Sequence, residues 1–486
     1  MRYMGHPFID IGIATITAFA GVSDPSKLTN DDCGRIADFI TREYVQQPLR
    51  SFLTVVFPNS GFTQSAFFNL PERQRDYADR VLRGFTEDAP ILDELCVFTG
   101  DPAIAIAFGD KPGLPMGRAY RQHIPLITGE NVINFHPYGD SGLPVSGKAM
   151  LAIQAFPLGC AKAGGRLLAV HSDNSELMLH FARAFLRQNR QLVQLAQANN
   201  DTKMPESPWK HKTLLIETLL EADLQRIEAS EYEQPYTVTA YHLSNSGQGP
   251  GLDIYQLPMQ TIAFLRDMES TAFRSEWHAI VHRAWDIPST AKESANFQPS
   301  RNRIYEDLFD LDRHGSAARF IRTYFLRMSI RAARDKNDPR TGYSLQQESN
   351  LVSWKLTAQF LWRILNVDKE RLDEIRQMGD RLAEYVFHEN DRRFFQAFLT
   401  SRRYDEIRNA LIKADIRTMQ QGREPLLRLD PYVTVFEEGI DMARPDWRLA
   451  RDLVLIRMVE RLYELGWLKQ NDEVMADVAA TLDESE

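Results

Sequence analysis

The amino-terminal part of the chain mixes short apolar runs with turn signals, whereas the carboxy-terminal part keeps one helical period almost throughout. Residues 7–21, Pro-Phe-Ile-Asp-Ile-Gly-Ile-Ala-Thr-Ile-Thr-Ala-Phe-Ala-Gly, are nearly all apolar or small. This predicts a buried helix packed closely on its neighbours. Thr29-Asn30-Asp31-Asp32 has the chemistry of a helix start and opens a helix to about Val45. Leu49 to Phe57 reads as a strand, ended by Pro58-Asn59-Ser60-Gly61. A helix is expected near 71–84, then loops and short strands over the Gly- and Pro-rich residues 99–148. Pro144 to Pro157 contains a helix, Arg166 to Ser172 is a strand, and a long helix covers about 173–198. After a polar linker, Asn199 to Pro208, comes a helix near 210–230. Tyr236–Ser244 and Leu252–Leu257 then read as paired strands around a glycine-rich loop.

Past residue 313 the patterns are helical over about 315–335, 346–366, 368–388, 391–399, 402–415 and 446–466, with short turns between. That is the signature of an antiparallel bundle. The expected fold is an α+β N-terminal domain at 1–312 followed by an all-α helical bundle at 313–486. No internal repeat is evident.

The 486 residues, 43% hydrophobic and 25% charged, fit a globular protein of more than one domain. No apolar run is long enough to span a membrane. The opening residues lack the apolar stretch of a secretion signal. Cys33, Cys96 and Cys160 are too few and scattered for a disulfide framework, so a cytoplasmic location is expected.

The net charge of −9 argues against nucleic acid until its distribution is considered. Residues 1–312 carry 28 Lys+Arg against 37 Asp+Glu, residues 313–457 carry 27 against 21, and residues 458–486 carry 2 against 8. A locally basic segment can bind phosphates within an acidic chain. An Arg-rich solvated helix surface would show the same pattern. The basic segment starts with Arg313, Arg319, Arg322, Arg327, Arg331, Arg334, Lys336 and Arg340. Of these, Arg319, Arg322 and Arg334 share roughly one side of a helical wheel, and Arg327 and Arg331 form a neighbouring stripe. Phe320, Ile321, Tyr324, Phe325 and Ile330 give it an apolar side. A second basic group, Arg392, Arg393, Arg402, Arg403, Arg408, Lys413 and Arg417, is interleaved with Asp391, Asp405 and Glu406, so surface ion pairing accounts for it equally well.

Gly142-Leu143-Pro144-Val145-Ser146-Gly147-Lys148-Ala149 has the spacing of a phosphate-binding loop. Ala149 stands where a Ser or Thr would hold magnesium, and Pro144 removes a backbone N–H from a loop that works through such groups. It is read as a false match, with Lys148 kept as a candidate for a DNA phosphate. Gly247–Gly251 departs from the dinucleotide fingerprint and is a hairpin loop. His123, His136, His171 and His180, with Cys96 and Cys160, lack metal-ligand spacing, so no metal or other cofactor is expected. Neither a nuclease His-Asp pair nor a Gly-x-Ser-x-Gly elbow occurs, and no enzyme is signalled.

Several stretches in order resemble the large subunit of the type I-B CRISPR surveillance complex, Cascade, of the CXXC-CXXC group. They are Met4–Ala14, with its Gly-x-Pro-Phe-x-Asp-x-Gly opening, Phe57–Gln64, Asn134–Gly147 running on to Gly159 and through Gly164–Asp173, and the closing Trp447–Leu462. The family's two cysteine pairs are missing, because Thr99 stands where the partner of Cys96 belongs and no later pair exists. No structural zinc is therefore expected, and the loop at 96–123 should be held by other packing.

The resemblance implies a non-catalytic subunit. The 1–312 domain would sit at the guide RNA's 5′ handle and check the protospacer-adjacent motif (PAM) in double-stranded target DNA. Melting and guide pairing would follow, forming an R-loop. Asn59, Gln64, Asn134 and Lys148 are the candidates on the PAM side, though each also suits a turn. Arg319, Arg322, Arg327, Arg331 and Arg334 would hold DNA backbone. Implied partners are CRISPR RNA, target DNA, the Cascade backbone and small subunits, and a helicase-nuclease or a transposition adaptor. The bundle could also be made separately from Met328. Two rivals stay open: a nucleotide-binding enzyme using the 142–149 loop, and a protein-only scaffold.

Overall fold

The computed structural model describes residues 1–109, 116–126, 142–228, 235–246, 249–286, 298–311, 316–325, 353–437 and 443–471. The chain divides into two compact units, Met1–Met259 and Gln260–Glu486.

The first unit is organised around α1 (Pro7–Ala20), buried from Ile9 to Thr17. It packs on α5 (Gly147–Ala155), α6 (Ser175–Ala198) and β6 (Arg166–Ser172). Proline at its first position needs no helical N–H partner. Thr15 and Thr17 donate their hydroxyls to the carbonyls of Ile11 and Ile13, both at 2.7 Å. Burial therefore strands neither hydroxyl. Gly12 sets the closeness of the crossing, since a β-carbon there would lie 2.0 Å from the Ala152 carbonyl oxygen.

Helix α2 (Asn30–Glu43) starts as its sequence predicts, with a reciprocal capping box between Thr29 and Asp32. The segment expected as a strand, Leu49–Phe57, is instead a short helix, α3 (Leu49–Leu53), running into turns. The reason is visible in its spacing. Leu49, Phe52, Leu53, Val56 and Phe57 are the buried residues, a helical period rather than an alternating one. Helix α4 (Pro71–Leu82) follows as expected.

Two small antiparallel pairs come next, β1 (Ile91–Leu95) with β2 (Pro102–Ile104) and β3 (Arg118–Ala119) with β4 (Leu143–Pro144). β5 (Ala161–Ala163), β6, β7 (Val238–Ser246) and β8 (Gly249–Leu257) form one antiparallel sheet in that order. Helix α7 (His211–Glu228) lies between β6 and β7 in sequence and packs on α6.

The second unit is helical among its described residues. It contains α8 (Met259–Met268) from its second residue on, α9 (Arg274–Arg283), α10 (Arg303–Asp307) and α11 (Ser316–Phe320), the last continuing as a π-helical turn, Ile321–Phe325. After them come α12 (Trp354–Leu365), α13 (Lys369–Glu389), α14 (Arg392–Thr400), α15 (Tyr404–Gln420), α16 (Leu429–Phe436), α17 (Trp447–Glu464) and α18 (Trp467–Gln470). α13 and α17 form its longest packed pair.

The division after Met259 lies ahead of the 312/313 boundary expected from charge and texture. An aromatic cluster explains why. Phe264 of α8 meets Trp277 of α9 and Phe360 of α12 edge-on at 5.4 and 5.3 Å, and Phe320 stacks on Phe360 at 4.9 Å. These contacts tie residues after 259 to the later helices.

Candidate functional site

The described residues proposed for the PAM side, Asn59, Gln64 and Lys148, divide between two places in the first unit. Asn59 and Gln64 lie on a pair of successive turns, the first closed by Ser60 N–H donating to Phe57 O at 3.3 Å and the second folding back on Ser60. The Ser60 carbonyl accepts from the N–H groups of Thr63 and Gln64 at 3.0 and 2.9 Å. The Thr63 hydroxyl donates to the Phe57 carbonyl and lies 3.2 Å from that of Ser60. Beneath the turn, Phe62 sits edge-on between Tyr44 and Tyr77. Gly61 lies so close to the Tyr77 ring that a β-carbon would fall 2.3 Å from it. Burial pushes the Tyr77 hydroxyl well above its ordinary pKa, keeping it neutral. Asn59 and Gln64 are exposed on this anchored turn.

Sequence reasoning missed two neighbours. Gln64 precedes the 3₁₀ turn Ser65–Phe67, and the next residue, Phe68, is exposed with the Arg50 guanidinium over its ring at 4.0 Å. An amide, a cation and a ring are thus exposed or paired within a few residues of one another in sequence or space, groups able to hydrogen-bond and to stack. Nothing in the local spacing signals the Arg50–Phe68 pair. On the other side, Asn245 at the end of β7 ties the segment down, its N–H donating to Val55 O at 2.6 Å.

Lys148 stands elsewhere, exposed on the first turn of α5 and near Cys33 of α2. Burial raises the Cys33 thiol above its ordinary pKa, and the Lys148 charge opposes that. The rest of Gly142–Ala149 is a strand running into a capped helix. Val145 N–H donates to Gly117 O at 3.1 Å, and Val145 O accepts from Ile104 N–H at 2.9 Å. Ser146 caps α5 by accepting from Ala149 N–H at 3.3 Å. Gly147 packs so tightly on Gly84 that a β-carbon would lie 1.7 Å from the Gly84 oxygen. Apart from Leu143 and Lys148, residues 142–149 are buried, unlike an open phosphate cradle.

Around Cys96 the chain is held by backbone bonds. Cys96 N–H donates to Asp101 O at 2.8 Å, and Val97 N–H to Pro144 O at 3.1 Å. All three cysteines are buried free thiols. No cluster of metal-ligating side chains occurs among the described residues. His123 is buried with Nδ1 accepting from Tyr120 N–H at 3.2 Å, and burial lowers its pKa to about 3.

In the second unit Arg319 is exposed on α11, and Arg322 lies in the π-helical turn that follows. Asn134, Arg327, Arg331 and Arg334, together with Met328, lie outside the described residues. The second basic group is partly neutralised, as Arg403 pairs with Asp405, and Arg417 with Asp391 at 2.5 Å. Arg392, Arg393 and Lys413 are exposed, with no carboxylate in ion-pair range among the described residues.

Comparison with protein-family models, with curated proteins and with solved structures gives no match to this chain. No helix among the described residues is long and apolar enough to cross a membrane.

Proposed function

We propose that this chain is the large, non-catalytic subunit of a type I-B Cascade complex, reading the PAM in target DNA and helping to open the duplex for a guide RNA. The observation that carries the reading is the ordered set of sequence blocks from Met4 to Leu462, one of which folds into the anchored turn that exposes Asn59 and Gln64. Amide side chains on a firm turn are what base-edge reading requires, because their donor and acceptor must hold direction against water. The basic residues of the second unit would carry the sequence-independent share of binding through phosphates.

In this assembly the first unit contacts duplex DNA beside the guide's 5′ handle, and the downstream helicase-nuclease or transposition adaptor is recruited once the R-loop forms. The test is binding of the guide-loaded complex to duplexes differing only in the bases beside the target. Asn59→Ala with Gln64→Ala should reduce discrimination among those bases while guide loading persists. If both variants discriminate like the parent, the turn does not read DNA. If the purified chain binds nucleotide with a magnesium requirement and no guide RNA, an enzyme using the 142–149 loop is the better reading.

A further inference from the structure

A cleft of about 550 Å³ opens in the second unit between α12 and α13. Its walls follow helical spacing. Trp354, Lys355, Ala358, Gln359 and Trp362 come from one face of α12, and Lys369, Leu372, Asp373 and Arg376 from one face of α13. Arg457 and Glu460 of α17 and Phe273, just before α9, complete the lining.

The charges at the base of the cleft satisfy one another. Arg457 donates to Glu460 at 2.6 Å and to Asp380 at 2.7 Å, and Glu460 also accepts from Trp354 N–H at 3.2 Å. The rim carries three cations and one exposed carboxylate, Asp373, and these do not pair with one another. Lys355, Lys369 and Arg376 are exposed, and none has a carboxylate in ion-pair range among the described residues. Two of them lie over aromatic rings instead, Lys355 Nζ 5.0 Å from the Phe273 centroid and Lys369 Nζ 4.9 Å from that of Trp362. Arg363 also stacks on Trp362, at 4.2 Å, but is anchored to Asp267 at 2.6 Å.

Flat rings reached by exposed ammonium groups that lack a carboxylate partner form a site for a ligand that is itself a flat ring carrying an anion. We infer that this cleft binds a nucleotide unit, with its base against Trp362 and its phosphate held by Lys369, Arg376 and Lys355. The lysine chains move off the ring faces onto the phosphate as the base arrives. An acidic peptide would use the cations but leave the half-buried Trp362 ring without a stacking partner. The nucleotide can be free or part of a single strand, and both place the same chemistry in the cleft. The inference rests on the cleft's own residues and stands apart from the assembly proposed above.

The experiment uses the full-length chain and two fluorescent probes at low salt, a labelled adenosine monophosphate and a labelled single-stranded oligothymidylate. Binding of the first assigns a free-nucleotide site, and binding of the second alone assigns a strand-borne one. In either case Lys369→Gln with Arg376→Gln should weaken binding about tenfold and flatten its salt dependence. Trp362→Leu should weaken it by roughly five- to a hundredfold while Trp362→Phe keeps most of it. Trp362 is half-buried, so the lysine and arginine changes, which lie on the surface, keep the test open if the leucine variant fails to fold. The inference is overturned if neither probe binds, or if binding is indifferent to the Lys369 and Arg376 changes.

Discussion

Asp10 and His171, 161 residues apart in sequence, meet with carboxylate Oδ2 and imidazole Nε2 at 3.1 Å. The same carboxylate accepts from the N–H groups of Met4 and Gly5 at 2.6 and 2.7 Å. One buried side chain thus joins the amino-terminal turn, helix α1 and strand β6. Asp10→Ala removes the acceptor from two backbone donors and from His171 at once. It should lower stability by roughly 2–4 kcal/mol, read as a shift in the urea midpoint at unchanged slope. A loss no larger than that of a surface substitution would show that water replaces the carboxylate easily.

His123 gives the fold a dependence on pH. Burial lowers its pKa to about 3, from an ordinary value of 6.5. Below pH 6.5 the unfolded chain binds a proton that the folded chain does not. The stabilising effect of the neutral ring is therefore full above that pH and falls progressively toward pH 3. His123→Phe should flatten the slope of unfolding free energy across this window. An unchanged slope in the folded variant would mean that other groups cause it.

Much of the first unit was legible in the sequence because its signals are local. The Thr29 capping box, the buried run of α1 and strand Arg166–Ser172 each declare themselves within a few residues. Leu49–Phe57 misleads because Thr54, Val55 and Val56 are strand formers, while the spacing of its buried residues is helical. Long-range contacts leave no such trace. The Asp10–His171 pair and the Phe264–Phe360 contact that sets the unit boundary connect segments with no shared local pattern. At the candidate site, Pro58-Asn59-Ser60-Gly61 announces a turn, so Asn59 could be singled out. Arg50 and Phe68 could not, since a cation meets a ring there only once α3 has folded back on the turn.

Gly147→Ala tests the packing of the 142–149 segment. The added methyl would fall 1.7 Å from a backbone oxygen of Gly84, which cannot rotate away. Separating α5 from that strand of chain should cost about 1–3 kcal/mol or more and lower the melting temperature by several degrees. Lys148→Ala, at the exposed next position, should leave the melting temperature nearly unchanged. Equal effects from both would contradict the close Gly84–Gly147 contact.

In the DNA-binding role proposed for the second unit, Arg319, exposed on α11, would act through phosphates. Arg319→Gln should weaken DNA binding uniformly across sequences and reduce the slope of log affinity against log salt by about one. A loss confined to particular target sequences would assign Arg319 to base reading instead.

Recovering the tagged chain from its native cells and sequencing the RNA that accompanies it separates a guide-bound Cascade subunit from its rivals. A Cascade large subunit should bring with it short RNAs of uniform length sharing one 5′ end, together with backbone subunits in fixed proportion. Protein recovered without RNA, or with random fragments only, would contradict this assignment.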